Sequence, residues 1–167
     1  MPETETIERA ERDKREGKSP TTQAGEFVRE EMHHIREGKH GARSAKQAIA
    51  IGLSKARRAG VDLPPPGKGE ASEETRKSAR RDYARGHGAR PRGTPSARRS
   101  RAVEKALKRE GHAAASHTAL SRHAHQAAGK RTAAERSAAA KKAARTKGPA
   151  ERSAAAGKAA RTRARSR

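Results

Sequence analysis

Cysteine, aromatic residues and long apolar runs are scarce or missing in this sequence of 167 residues. It contains no cysteine and no tryptophan, and Phe27 and Tyr83 are its only phenylalanine and tyrosine. Without cysteine the chain forms neither disulfides nor thiolate metal sites, which excludes a disulfide-stapled secreted scaffold. Because the mean hydropathy is also strongly negative, we expect at most one small folded unit.

The chain also lacks the apolar segments of exported and membrane proteins. Its first twenty residues carry mixed charges where a signal peptide needs an apolar stretch, and no run approaches the length of a membrane span. We therefore expect a soluble, cytoplasmic protein. No P-loop, dinucleotide fingerprint or zinc-hydrolase spacing occurs, and a chain without a large core offers no catalytic pocket, so we expect neither enzymatic activity nor a cofactor.

Positive charge dominates the sequence and is concentrated in its C-terminal part. The chain has 41 Lys and Arg against 19 Asp and Glu, a formal net charge of +22. Residues 1–63 contain 13 basic and 11 acidic side chains, whereas residues 64–167 contain 28 and 8, a net charge of +20. Such a surplus is typical of proteins that bind nucleic acid or another polyanion.

The N-terminal half carries most of the large apolar residues and predicts a helical hairpin. Gly38 supplies a left-handed end for the first helix, while Ser44 and Gln47 form a capping box for the second, which ends at Gly60. The apolar positions of the first helix, at steps of three and four, are Ala24, Phe27, Val28, Met32 and Ile35. The small residues that allow close approach in the second are Ala48, Gly52 and Ala56.

A hairpin of this size has a marginal core, with about nine large apolar side chains on fewer than fifty residues. We therefore expect either a homodimer through the hairpin or packing of Val61 and Leu63 back onto it. The chain divides into a charged flexible N-terminus at 1–19, the hairpin at 20–63, a Pro/Gly linker at 64–71, an alanine-rich basic helical or disordered region at 72–131 and a repeat-containing histone-like tail at 132–167. Further helical segments are predicted at 72–85, 95–110 and 113–128, with Thr94 as the cap of the second.

An internal repeat is the strongest pattern of the C-terminal half. Residues 134–147 and 150–163 match at 12 of 14 positions with a spacing of 16. Alanine favours helix here, and Thr132 with Glu135 forms a capping box, but the cations leave no apolar stripe to pack. Because like charges repel and short helices nucleate poorly in water, the predicted fold is mainly α, a small N-terminal helical hairpin followed by a largely disordered or marginally helical basic tail.

The segment from Pro20 to Pro66, PTTQAGEFVREEMHHIREGKHGARSAKQAIAIGLSKARRAGVDLPPP, resembles a family of small bacterial proteins of unknown function that are labelled DNA-binding or plasmid-stabilisation proteins. The resemblance implies a bacterial origin and a loose association with DNA, and it carries over no site residues. The tail is similar in composition to those of linker histones and of bacterial histone-like proteins.

These features predict a non-enzymatic, sequence-nonspecific DNA-binding protein of the bacterial nucleoid that acts through Lys and Arg contacts to phosphate. Sequence-specific recognition of DNA bases needs a preorganised helix or β-ribbon. A tail without a hydrophobic core does not offer one. The scarcity of aromatic rings argues against base stacking on single strands and favours DNA over RNA. An RNA- or ribosome-associated protein and a plasmid-stabilisation factor are the alternatives. A membrane surface is disfavoured, since the repeats carry alanine in place of large apolar residues.

The predicted phosphate contacts fall into two sets of cations. The main set lies in the repeats: Arg136, Lys141, Lys142, Arg145, Lys147, Arg152, Lys158, Arg161 and Arg163. The second set comprises Arg98, Arg99, Arg101, Lys39, Arg43, Arg57 and Arg58. For the cations at the two ends of the hairpin, a solvated face that complements a helix C-terminus is an equally supported interpretation.

Eight histidines raise the question of a metal site. The groups considered are His33 and His34 with His40, and His117, His123 and His125. His33 and His34 diverge by about 100° on a helix, and the second group has no neighbouring carboxylate. We therefore interpret the histidines as surface imidazoles that add positive charge below about pH 6.5, and we predict no metal site.

Overall fold

The computed structural model describes residues 2–89, 96–146 and 148–165, whose regular secondary structure is almost entirely helical. By its contacts the chain divides into two units, Met1–His123 and Ala124–Arg167. The α-helices of the described residues are α1 (Thr4–Arg15), α2 (Pro20–Arg36), α3 (Ala45–Arg58), α4 (Glu73–Gly86), α5 (Ala97–Arg109), α6 (His117–Gly129), α7 (Ala133–Thr146) and α8 (Pro149–Arg165). A single turn of 3-10 helix, Ala113–Ala115, precedes α6. Within these residues no helix combines the length and hydropathy that a membrane span requires.

α2 and α3 are the two helices predicted for the hairpin, and both are confirmed. Ser44 caps α3 by accepting a hydrogen bond from the Gln47 amide at 3.2 Å. The Gln47 side chain returns a bond to the backbone by accepting from the Arg43 amide at 3.0 Å. Gly38 follows α2 with a φ of 77°, a left-handed conformation that glycine adopts without strain.

Two apolar clusters show that α2 and α3 run antiparallel. Phe27, in the first half of α2, shares a cluster with Ala56 near the end of α3. Ile35, at the end of α2, shares the other cluster with Ala48 near the start of α3. Phe27 and Ile35 are the largest fully buried apolar side chains in the described part of the chain, and burying each contributes roughly 1.5–3 kcal/mol. The core of the first unit is therefore centred on this pair of helices.

The predicted fold class is right in being mainly α but wrong in limiting the folded part to a hairpin. α1 packs against α2 and buries Thr6 and Ala10, and α4 packs against α3 and buries Ala79. In the 3-10 turn, Ala114 and Ala115 are buried in the cluster at the end of α2. Four of these five buried side chains are alanine, which permits close approach of backbones but forms no pattern of large apolar residues. A search for large apolar residues therefore misses them.

The chain that follows α3 also packs back onto the hairpin. Val61 and Leu63 are buried in the cluster around Phe27, which is the arrangement predicted as the alternative to a homodimer. The end of α4 approaches the end of α3 so closely that a β-carbon at Gly86 would lie 1.9 Å from the Arg57 carbonyl oxygen. The core that the hairpin lacks on its own is thus completed within the chain.

α4, α5 and α6 lie in the three segments predicted between the linker and the repeats. Ser72 caps α4 by accepting a hydrogen bond from the Thr75 amide at 3.3 Å. The predicted cap Thr94, the predicted first residue Pro95 of the α5 segment and residues 90–93 of the preceding loop lie outside the described residues.

A second correction concerns the repeats, which are helical instead of largely disordered. Seven of the fourteen residues of α7 are alanine, the residue with the highest helix propensity. The predicted capping box is formed, because the Glu135 amide donates to Thr132 Oγ1 at 3.2 Å and the Thr132 amide donates to Glu135 Oε2 at 2.7 Å. Lys141 and Arg145 are like charges one turn apart, but such a pair costs only about 0.2–0.5 kcal/mol. Propensity and capping therefore outweigh the charge repulsion on which the prediction of disorder rested.

Candidate nucleic-acid interface

α7 and α8 display most of the cations predicted as the main phosphate contacts. At about 100° per residue, Lys141, Lys142 and Arg145 fall within one third of the circumference of α7. The repeat places Lys158 and Arg161 at the equivalent positions of α8. These three residues of α7 and two of α8, which we call the repeat stripes, are all exposed.

The remaining predicted contacts of the repeats lie away from the stripes. Arg136 and Arg152 begin the two copies on the opposite side of their helices, and Arg163 lies on that side near the end of α8. All three are exposed. Lys147 lies outside the described residues. The structure thus brings five of the nine repeat cations onto two stripes and distributes three others around the helices.

The charge of the second unit is almost unopposed. Residues 124–167 contain 13 Lys and Arg but only Glu135 and Glu151 as acids, a net charge of +11. Glu135 is engaged with Thr132, whose amide and hydroxyl hydrogen bonds lower the pKa of this carboxylate. None of the ion pairs in the described part of the chain involves a residue after Glu110. The cations of α7 and α8 therefore have no carboxylate partner there.

A groove in the first unit brings together cations that the sequence places far apart. It has a volume of about 640 Å³ and runs between α5 and the hairpin. Its basic lining residues are Lys39, His40, Arg58, Arg99 and Lys108. Ser96 and Ser100 line it as well, and Val103, also in the lining, is 55% exposed. Three predicted phosphate contacts, those at positions 39, 58 and 99, therefore face one surface.

Three of these groove cations already have acidic neighbours. Lys108 Nζ lies 2.8 Å from Oε1 of Glu104, which also lines the groove. Lys39 Nζ lies 3.2 Å from both Glu3 Oε1 and Glu37 Oε2, and these hydrogen bonds raise the pKa of the ammonium group. Arg58 Nε lies 3.8 Å from Asp82 Oδ1. All three side chains are about half exposed, so a phosphate would compete with these carboxylates.

The other predicted contacts of the first unit lie outside the groove. Arg98 and Arg101 are exposed on α5. Arg43, in the connection between α2 and α3, is 79% exposed and lies 3.6 Å from Glu110 Oε1. These three cations are accessible but do not converge on a shared site with those of the groove.

The position of Arg57 in the structure contradicts its prediction as a phosphate contact. It is 8% exposed, its Nε donates to the Leu63 carbonyl at 3.1 Å and its terminal nitrogen donates to the Pro64 carbonyl at 3.3 Å. Burial lowers the pKa of this guanidinium. Arg57 therefore holds the segment after α3 in place and is not available for a phosphate contact.

A polar cluster that was not predicted from the sequence lies at the end of α2. One carboxylate oxygen of Glu31 and one ring nitrogen each of His34 and His40 all lie within 4.8 Å of one another. The Glu31 side chain is 0% exposed, and those of the two histidines are 12% and 18% exposed. His34 and His40, which were predicted to be surface imidazoles, are therefore only partly exposed. The i, i+3 spacing of Glu31 and His34 was visible in the sequence, but the approach of His40 depends on how the connection folds.

Two further charged groups adjoin this cluster. Lys55 Nζ lies 3.0 Å from Glu30 Oε1 and 2.7 Å from Glu31 Oε2. Burial opposes ionisation of both Glu30 and Lys55. The contact with Lys55 outweighs burial at Glu30 and lowers its pKa, and the contacts with Glu31 and Glu30 outweigh burial at Lys55 and raise its pKa. The cluster therefore contains ionised groups that are shielded from water.

Comparison with known proteins gives one match. Residues 15–68 match the model of a family described as a family of unknown function (DUF6496). The match covers roughly a third of the chain and includes all of α2 and α3. It confirms the resemblance of this segment to a family of unknown function, and the description mentions neither DNA binding nor plasmid stabilisation. No curated protein and no solved structure matches the chain.

Proposed function

We propose that this protein binds DNA without sequence preference, as a nucleoid-associated, histone-like protein whose Lys and Arg side chains contact the phosphate backbone. The observation that carries the proposal is the net charge of +11 in residues 124–167. That charge is displayed on exposed helix faces whose cations have no ion-pair partner among the described residues. A polyanion supplies the negative charge that these helices lack.

The burial of Phe27 and the contacts of Tyr83 favour duplex DNA over single-stranded nucleic acid as the ligand. Base stacking needs an accessible ring, but Phe27 is 1% exposed. Tyr83 stacks on His87 with ring centroids 4.0 Å apart, and its hydroxyl donates to Asp62 at 2.6 Å. Duplex DNA needs no such ring, because its phosphates are contacted from outside the helix.

The groove of the first unit offers a second basic surface. Lys39, Arg58 and Arg99 line it together with two serines, and basic and serine side chains both contact phosphate oxygens in protein–DNA complexes. The DNA association implied by the resemblance of residues 20–66, and a role in plasmid stabilisation, are both compatible with binding through this surface.

The test compares two full-length variants that lose the same charge from different surfaces. The first replaces Lys141, Lys142 and Arg145 of the α7 stripe by Gln. The control replaces Lys77, Arg80 and Arg85 by Gln; these α4 cations are exposed in the structure and lie outside the groove. Affinity for a short duplex is measured by fluorescence anisotropy over a salt series. Each phosphate contact contributes about 0.9 to the magnitude of the slope of log K against log salt. The slope of the stripe variant should therefore be smaller in magnitude than that of the unmodified protein by about 3, and that of the control variant should change much less.

An equal reduction of the slope in the two variants would show that binding depends on net charge alone. It would contradict the assignment of the α7 stripe as a DNA-binding interface. A protein that binds neither duplex DNA nor structured RNA at low salt would overturn the proposal altogether. Competition between the two nucleic acids separates DNA from RNA, since a preference for structured RNA would favour a ribosome-associated role.

A further inference from the structure

We propose that Glu31, His34 and His40 form a binding site for a divalent transition metal ion of the zinc class. Carboxylate oxygen and neutral imidazole nitrogen are donors that zinc accepts, and two histidines with one glutamate leave a fourth position for water. Neither the charge of the chain nor its binding to nucleic acid requires this site. The proposal is independent of the DNA-binding function.

The geometry of the cluster is close to that of a tetrahedral site. His40 Nε2 lies 3.2 Å from Glu31 Oε1. Two ligand atoms bound at about 2.0–2.2 Å in a tetrahedral site are separated by about 3.3–3.5 Å, so this pair is already at the required separation. A ring nitrogen of His34 lies within 4.8 Å of both partners, so it needs to approach each of them by no more than about 1.5 Å.

Glu31 is a buried carboxylate whose oxygens accept no hydrogen bond within the described part of the chain. Lys55 Nζ lies 2.7 Å from Oε2, an ion-pair contact whose angles fall outside those of a hydrogen bond. Oε1 faces His40 Nε2, also without hydrogen-bond geometry. Because an ionised carboxylate is costly to bury without such bonds, Oε1 is suited to a cation placed between it and the imidazole.

One ring nitrogen of each histidine already faces an oxygen. His40 Nδ1 lies 3.1 Å from the Gly41 carbonyl oxygen, and His34 Nε2 lies 2.8 Å from Glu3 Oε1. A ring N–H that donates to a carbonyl or carboxylate leaves the other nitrogen with its lone pair free, and metal-bound histidines are usually held in this way. For His40, whose Nδ1 can only donate to the carbonyl, the hydrogen bond leaves the lone pair on Nε2, the nitrogen that faces Glu31.

The charges around the cluster favour a cation. Glu3, Glu30 and Glu31 contribute three carboxylates, against the two ammonium groups of Lys39 and Lys55. One negative charge is left without a cationic partner when both histidines are neutral. A bound divalent ion would offset this charge, and Lys55 could keep its contact with Oε2 while Oε1 coordinates the ion.

The experiment titrates Zn2+, and Co2+ as a spectroscopic substitute, into the full-length protein after treatment with a chelator. We expect one equivalent to bind tightly, with Co2+ giving the intense visible bands of a four- or five-coordinate site. His40→Gln and His34→Gln should each weaken Zn2+ binding by about tenfold or more. His33→Gln is the matched control, since His33 is exposed on α2 next to His34 and should leave binding unchanged.

Circular dichroism checks that each variant keeps its helix content. If a variant loses helix content, the test uses the imidazole 15N resonances of the unmodified protein. One equivalent of Zn2+ should shift the resonances of His34 and His40 and leave those of His33 unchanged. The proposal is overturned if no stoichiometric Zn2+ binding occurs, if His33→Gln weakens binding as much as His40→Gln does, or if Zn2+ shifts only the histidines of α6.

Discussion

Gly52 of α3 lies directly against the backbone of Val28 in α2. A β-carbon built at Gly52 would lie 2.7 Å from Val28 Cα and 3.0 Å from both its amide nitrogen and its Cγ2. The neighbour that it meets first is backbone and cannot rotate away. The two central helices can therefore pack at their observed separation only if residue 52 has no side chain.

Gly52→Ala is expected to destabilise the first unit even though alanine is the better helix former. Separating two packed helices to admit a methyl group costs about 1–3 kcal/mol. Gly25→Ala is the control, since Gly25 lies within α2 and its β-carbon would meet nothing within 4 Å; this change should stabilise by about 0.5–1 kcal/mol. Thermal and urea unfolding measure both changes. Destabilisation by both, or by neither, would contradict the close contact.

Arg57 and Arg58 are neighbours in the sequence but have different tasks in the structure. Arg57→Met leaves the Leu63 and Pro64 carbonyls without their donor, and losing hydrogen bonds to a charged group costs about 1.5–3 kcal/mol. Arg58→Met removes a half-exposed side chain and should change stability by less than about 0.5 kcal/mol. Urea unfolding of the two variants provides the comparison. A larger loss for Arg58→Met would contradict the assignment of Arg57 to the segment after α3.

The parts of the fold that the sequence predicted are those with strong local signals. The capping box at Ser44, the glycine after α2 and the periodic large apolar residues located α2 and α3, because each acts within a few residues of its own position. The packing of α1, of α4 and of the 3-10 turn depends on alanines such as Ala10, Ala79 and Ala115. Alanine is common on both buried and exposed helix faces, so its position in the sequence does not indicate which face is covered.

The interface residues show the same division between local and long-range information. Exposure of the repeat cations was predictable, because no large apolar residue in α7 or α8 competes for a buried position. Burial of Arg57 was not, since its acceptors lie six and seven residues further along a chain that turns back. The approach of His40 to Glu31 likewise depends on the path of the connection between α2 and α3.

Arg99 and Arg98 provide a matched test of the groove as part of the DNA-binding surface. Both are exposed on α5, but only Arg99 lines the groove. If DNA occupies the groove, Arg99→Gln should reduce the slope of log K against log salt by about 1, and Arg98→Gln should reduce it less. Anisotropy titrations with the same duplex measure both slopes. Equal effects would indicate that α5 contributes charge without a defined groove contact.

The capping box of α7 predicts a dependence of local helix content on pH. The Thr132 amide and hydroxyl both donate to Glu135 and lower its pKa below the ordinary value of 4.5 for this carboxylate. Because the pKa is lower in the helix than in the unfolded segment, this contribution to helix stability is complete above about pH 4.5. It is lost as the pH falls through the lowered value, where the carboxylate is protonated.

Amide chemical shifts of residues 133–138, followed from pH 6 to pH 2, should therefore move toward coil values in the acidic part of the range. Glu135→Gln should remove most of this acid-dependent change, since the amide does not titrate. Thr132→Ala should lower helix content at every pH, because the side-chain cap of the Glu135 amide is then absent. An unchanged acid response in Glu135→Gln would mean that another group controls the first turn of α7.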